Sequence, residues 1–150
     1  MYEALVVVTV VMVGLMVGVE FAVAAFVNPI FDRLPNDGGV VARSDGARRL
    51  GRVMPFWYIS SVVLGALWIV QAWGGREAFT VVVAVALLVA TVVMSIVLLV
   101  PINSRVARWS EDGTAPADWR QQVGRWDRLH YLRLGLIVAA FVLLVVAGTR

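Results

Sequence analysis

The chain has no cysteine and no lysine, a single histidine, and few charges of either sign. Without cysteine there is no disulfide scaffold, no thiolate nucleophile and no thiolate metal ligand. One histidine cannot build a histidine-rich metal site or a two-histidine haem ligation, although a single axial ligand stays open. Charged residues make up only 15% of the 150 residues, whereas 61% are hydrophobic, and the mean hydropathy is +0.85. An average soluble domain is about 45–50% apolar and about 25% charged. A single soluble core of this size cannot hide so much apolar surface. A soluble enzyme and a disordered chain are both excluded. Glycine-rich nucleotide loops, the serine-hydrolase elbow and zinc-binding spacings are missing as well.

What the chain does contain is long apolar runs. Crossing a hydrocarbon core of about 30 Å takes about 20 helical residues. Four segments qualify, at about 4–27, 56–73, 78–100 and 132–148; only Glu20 interrupts the first, and Arg133 stands at the entrance of the last. Valine dominates them, which in water would favour strands. The runs are too long and too uniformly apolar for that, and a membrane barrel would need alternating polar positions. Helices satisfy every backbone group internally, so helices win in lipid. The expectation is an all-α integral membrane four-helix bundle, one domain over 1–150. Met-Tyr-Glu at the start lacks a basic region, so the first span is expected to stay uncleaved.

All 13 cations are arginine, giving a net charge of +3 and a pI of about 10.2. They lie between the apolar blocks, not in a separate tail, and read as topology signals and headgroup contacts in place of nucleic-acid contacts. Arg33, Arg43, Arg48, Arg49 and Arg52 follow the first span. Arg105, Arg108, Arg120, Arg125 and Arg128 follow the third. The other side holds only Arg76, beside Glu77, and Arg150. The positive-inside rule then places both basic loops in the cytoplasm and both termini outside an inner (plasma) membrane.

The two halves resemble each other. Val27-Asn28-Pro29-Ile30 closes the first span and Val100-Pro101-Ile102-Asn103 the third; Gly51-Arg52 with Tyr58 echoes Gly124-Arg125 with Tyr131. Two helical hairpins related as a parallel repeat, with Trp57 opposite His130, would give this pattern. Short amphipathic interfacial helices are expected at 45–52 and over 118–132, the latter running into the fourth span. A turn is expected at 34–39, a flexible stretch at 110–116, and Trp109, Trp119 and Trp126 near the interface.

Several residues are candidates for chemistry. Glu20 is the costliest, since a charge at a helix centre costs roughly 2.5–3.5 kcal/mol on insertion scales. Burial of a carboxyl favours its neutral form, which suits a proton carrier or a hydrogen bond to a neighbouring helix. His130 falls on one helical face with Trp126 and Arg133, at i, i+4 and i+7. An aromatic plate, a titratable base and a fixed cation would then face one way, unless His130 simply meets a headgroup or carbonyl. Asn28 and Asn103 end their spans on the same side as His130. Their amides either hold a developing oxyanion or cap the helices. Pro29 and Pro101 should end or bend those helices. Trp57 and Tyr58 read as an aromatic belt unless they share the depth of the polar residues. Gly14 and Gly18 form a small-xxx-small pair that reads as close packing, a face through which a homo-oligomer is allowed but not required. Gly65 and Ser60-Ser61 read the same way.

Gly-Val-Glu-Phe in the first span, Val27-Asn28-Pro29, Val100-Pro101-Ile102-Asn103-Ser104-Arg105, and Arg125-Trp126-Asp127-Arg128-Leu129-His130-Tyr131-Leu132-Arg133 together resemble the anthrone oxygenase-like family of small membrane proteins. The resemblance covers nearly the whole chain, and the W-x3-H-x2-R element and the P-x-N turn are its most specific parts. It implies oxidation of an anthrone, or a related amphipathic aromatic or quinone-like molecule, at an activated carbon. Such a carbon reacts with oxygen once deprotonated, so no metal or flavin cofactor is implied. By that resemblance His130 would be the base, or Glu20 through water. Asn28 and Asn103 would hold the oxyanion, Arg133 would favour the enolate, and Trp57 and Trp126 would stack on the substrate with Tyr58 beside them. Two other functions stay open: a non-catalytic membrane subunit or assembly partner, and a small proton-coupled exporter using Glu20. The long loops argue against the exporter.

Overall fold

A computed structural model describes residues 1–35, 37–112 and 115–149, side chains at 110–112 excepted. Four long helices account for almost all of them. α1 runs Tyr2–Phe31, α2 Gly38–Gln71, α3 Ala78–Trp109 with its last turn reaching Asp112, and α4 Trp119–Gly148. No strand occurs among the described residues. By length and composition all four can cross a membrane, and the protein is a four-helix membrane bundle. At about 1.5 Å per residue, helices of 30 to 34 residues exceed a hydrocarbon core of about 30 Å. The excess is where the arginines lie.

Consecutive helices pack side by side and α4 returns to α1, while the diagonal pairs keep their backbones apart and meet only through long side chains among the described residues. The result is an up-and-down ring around a central axis. α2 and α3 are joined by a tight turn in which Gly74 takes φ 81°, a conformation open to glycine without a Cβ penalty. Two apolar cores follow along the axis. The first joins Val13, Met16, Trp68, Val81, Leu88, Ile137 and Leu144 in the half that holds the termini. The second joins Val40, Ile102, Val106, Trp109 and Val123 at the arginine-rich end.

Several expectations need correction. The segment at 45–52 is not a separate interfacial helix; it is the first part of α2, which passes unbroken through Pro55. The helix expected over 118–132 does run into the fourth span, since α4 is continuous from Trp119 to Gly148, whereas residues 110–112 prolong α3. Asn36 of the expected turn, residues 113 and 114 of the expected flexible stretch, and Arg150 lie outside the described residues. Pro29 and Pro101 do not end their helices. A π-helical turn precedes each, Val23–Val27 before Pro29 and Ser95–Leu99 before Pro101. A proline ring crowds the preceding turn of an α-helix, and a wider turn relieves the crowding while the chain stays helical. Both wide turns begin six residues before their proline, which adds a structural element to the likeness of the two halves. Trp109 is buried in the second core, against which Trp119 and Trp126 also pack, so these rings meet neighbouring helices. Gly14 lies against the Phe141 ring, whereas Gly18 has open space around it, so the pair does not form one packing face within the bundle. Gly65 does serve close packing, because a Cβ there would meet Val85 at 2.6 Å.

Candidate functional site

The wide turns expose backbone and side-chain acceptors to α4. In the first, the Asn28 N–H reaches back five residues to the Val23 carbonyl. The Ala24 carbonyl loses its α-helical donor and instead accepts the Tyr131 hydroxyl at 2.9 Å. One turn earlier, the Glu20 carbonyl accepts His130 Nε2 at 3.1 Å. A carbonyl only accepts, so Nε2 carries the proton and Nδ1 keeps its lone pair. In the second wide turn, Ser95 begins the π-helical segment and its Oγ accepts Arg133 Nη1 at 3.0 Å. The two turns thus hold the segment of α4 from His130 to Arg133.

Glu20 sits at the centre of this arrangement, 3% exposed. Its Oε1 accepts the Tyr58 hydroxyl at 2.8 Å and its Oε2 accepts Arg133 Nη2 at 2.6 Å. His130 Nδ1 lies 3.2 Å from the same Oε2 and accepts Arg133 Nη2 at 3.0 Å. The Arg133 guanidinium stands 5.4 Å from the Tyr58 ring centroid. All four helices contribute, and the cost of burying a carboxylate and a guanidinium is offset only because each has several partners. Arg133 Nε and Trp126 Nε1 remain buried without a hydrogen-bond partner among the described residues. Unsatisfied donors of this kind are uncommon in native interiors and cluster at functional places.

Beside this cluster lies a cavity of about 260 Å³. Its walls are mostly aliphatic, from Val19 and Val27 on α1, Leu50 and Met54 on α2, and Val92 and Leu99 on α3; Glu20, Tyr58, Ser95, His130 and Arg133 form one polar corner. Trp126 also lines it and stacks on His130, with centroids 4.7 Å apart and 15° between planes.

The structure therefore brings Glu20, Tyr58, Trp126, His130 and Arg133 together. Asn28 and Asn103 line the same cavity, but each amide already donates within the protein. Asn28 donates to Asp127 Oδ1 at 2.9 Å and Asn103 to the Ala47 carbonyl at 3.0 Å. Neither caps a helix, since both helices run past them. Trp57 stands apart from the cavity: it packs against the first core and donates its Nε1 to the Met12 carbonyl at 3.0 Å. Among the described residues no three His, Asp or Glu side chains come together in a metal-binding arrangement.

Sequence reasoning missed a second polar cluster. Arg43, read as a headgroup contact, is buried and grips two carboxylates. It donates to Asp32 at 3.0 and 2.7 Å and to Asp127 at 2.8 and 2.9 Å. Such paired, fork-like bonds are the strong form of an arginine–carboxylate contact. Asp127 lies three residues before His130, inside the most distinctive stretch of the chain; that spacing was the available signal. Ser95, a hydroxyl in the uncharged third span, was another.

Neither a curated protein nor a solved structure matches the chain. The sequence model of the family described as anthrone oxygenase matches residues 47–143. The matched region includes Tyr58, Ser95, Asn103, Trp126, His130 and Arg133, while Glu20 and Asn28 precede it. With more than half of its length covered, the chain belongs to the anthrone oxygenase family.

Proposed function

We propose that the protein is a membrane-embedded oxygenase that acts on a planar aromatic carbon acid of the anthrone type. The observation that carries this reading is the cavity with aliphatic walls and one charged corner, in a chain of this family. A fused-ring ketone fits such a site by chemistry: its rings meet Trp126 and the aliphatic walls, and its oxygen meets Arg133 and Tyr58. Ligand pockets of about 300–1,000 Å³ hold drug-sized molecules, so a slightly smaller volume suits a compact ring system.

In the reaction a ring methylene loses a proton to His130. Nδ1 is the ring atom with the lone pair, once Arg133 turns from it toward the substrate oxygen. The proton then lies 3.2 Å from Glu20 Oε2, and the imidazolium–carboxylate pair holds it. Arg133 balances the enolate charge in a low-dielectric site, where such stabilisation is strongest. The enolate gives electrons to dioxygen and a carbon–oxygen bond forms at the same carbon. Loss of the second proton with cleavage of the oxygen–oxygen bond leaves a quinone carbonyl and releases water. No metal or flavin takes part. The arginine-rich end faces the cytoplasm of the plasma membrane.

The exporter reading has less support, because the 2.6 Å contact with Arg133 commits the Glu20 carboxyl to a partner inside the bundle. The test is oxygen uptake by purified protein with a model anthrone. His130→Ala should lower the rate by about 10²–10⁴-fold, the usual value of a positioned base. An unchanged rate removes His130 as the base.

A further inference from the structure

Toward the arginine-rich end the cavity is bordered by an ion-paired arginine. At that end a second cleft of about 240 Å³ is lined by Asp32, Trp119, Arg120, Gly124 and Asp127. Val123 belongs to the walls of both spaces, and Arg43 lines the inner one. The guanidinium that bonds both Asp32 and Asp127 therefore stands between them as a plug held by four hydrogen bonds.

The side between α2 and α3 is different. These helices are tied at two levels. Toward the termini, Gly65 lets Val85 approach closely. Toward the arginine-rich end, Ser44 donates to the Val106 carbonyl at 2.7 Å and Asn103 to the Ala47 carbonyl at 3.0 Å. Between the ties, the residues that line the cavity are also on the outer surface. Ile59 is 56% exposed, Ile96 61% and Val100 47%, and Pro55 beside them is exposed too. All are apolar and lie on helices long and apolar enough to span the bilayer. Both jambs carry weakened helix. Pro55 has no N–H to return to the Gly51 carbonyl, and on the other side the π-helical turn Ser95–Leu99 contains Ile96 and precedes Pro101. Interruptions of this kind are where helices bend.

From this we infer that the cavity fills sideways from the hydrocarbon layer, through a window between α2 and α3 with Ile59 and Ile96 as its jambs. The entering ligand is a flat, apolar molecule already dissolved in the membrane. The inference rests on the proposed function for what the ligand becomes, but not for how it enters.

The test uses the full chain in phosphatidylcholine nanodiscs with anthraquinone, which binds without turnover, as the probe. Stopped-flow quenching of tryptophan fluorescence reads association and dissociation. Ile59→Phe and Ile96→Phe, both at exposed positions that tolerate bulk, should slow the two rates together by about tenfold, as expected when a gate and not a contact is altered. The Kd should hardly move. Val70→Phe, equally lipid-exposed but away from the window, should behave as wild type. Unchanged rates in both window variants overturn the inference, as does faster entry in Arg43→Ala with no effect at the window. Absence of anthraquinone binding to the wild type overturns it as well. Gated binding without oxygen uptake from an anthrone would instead sink the oxygenase reading and leave the window standing.

Discussion

The half of the bundle that carries both termini and the half that carries the arginines are made by the same four helices, yet they use their interiors in opposite ways. Near the termini, Val13, Met16, Val81, Ala84, Leu88, Ile137 and Leu144 fill the axis of the ring and are fully buried. Gly65 and Ala140 let the helices come close there. In lipid, helix association draws on this kind of close contact, because the acyl chains are as apolar as leucine. Toward the arginines, below a small second core, the ring holds open space, a carboxylate between a guanidinium, a phenol and an imidazole, and wide helical turns. Apolar side chains fill space wherever they fall. Buried charges must find each other, and the geometry that lets them do so keeps the middle of the bundle from closing. The packed half supplies rigidity, and the polar half supplies a place for chemistry.

Substitutions can break this contrast, and the largest effect is expected at Glu20. Glu20→Ala leaves the Arg133 guanidinium buried without its counter-charge, which costs about 3–5 kcal/mol when one member of a buried pair is removed. Thermal unfolding in detergent should register it, together with loss of any oxygen uptake. Next is Leu88→Ala in the packed half, at about 3 kcal/mol for a core leucine truncated into a void. Leu50→Ala, on a wall that already borders open space, should cost clearly less in the same assay. Equal losses at Leu88 and Leu50 would mean that the two halves are packed alike.

Gly65→Ala should destabilise by about 1–3 kcal/mol through overpacking against Val85, while Gly18→Ala, with open space around it, should be neutral or slightly stabilising. Melting curves of the two variants side by side decide it. The smallest effect lies at the turn between α2 and α3. The Glu77 backbone N–H and the Tyr2 hydroxyl, which donates to Oε1 at 3.0 Å, hold the Glu77 carboxyl below its ordinary 4.5. A depressed carboxylate stabilises the fold above its unfolded value, and that contribution is lost as pH falls through the folded one. Wild type should therefore lose slightly more stability than Glu77→Gln on acidification below about 4.5; parallel curves would show that the contact contributes nothing.

The four spans were legible because hydropathy over about 20 residues is a strong local signal. Their true ends were not. The helices continue past the apolar runs because Val40, Ile102, Val106 and Val123 form a second core that no single segment announces. The face shared by Trp126, His130 and Arg133 was legible from helical spacing, and Glu20 stood out by its cost in lipid. That Glu20 and Arg133 meet was not legible, since 113 residues separate them. Arg43 was misread for the same reason: a basic residue near a membrane edge reads as a headgroup contact until Asp32 and Asp127 are seen beside it.

By itself the sequence determined that this chain is helical and membrane-bound, and it singled out Glu20 and the face shared by Trp126, His130 and Arg133. Those are consequences of composition and period, properties each segment carries alone. Only the tertiary structure decided which of those residues share a cavity, which amides are already engaged, and on which side the hollow opens. Such facts depend on the rotation of each helix about its axis, fixed by packing and by the partners that buried charges require, and no stretch of sequence contains both members of those pairs.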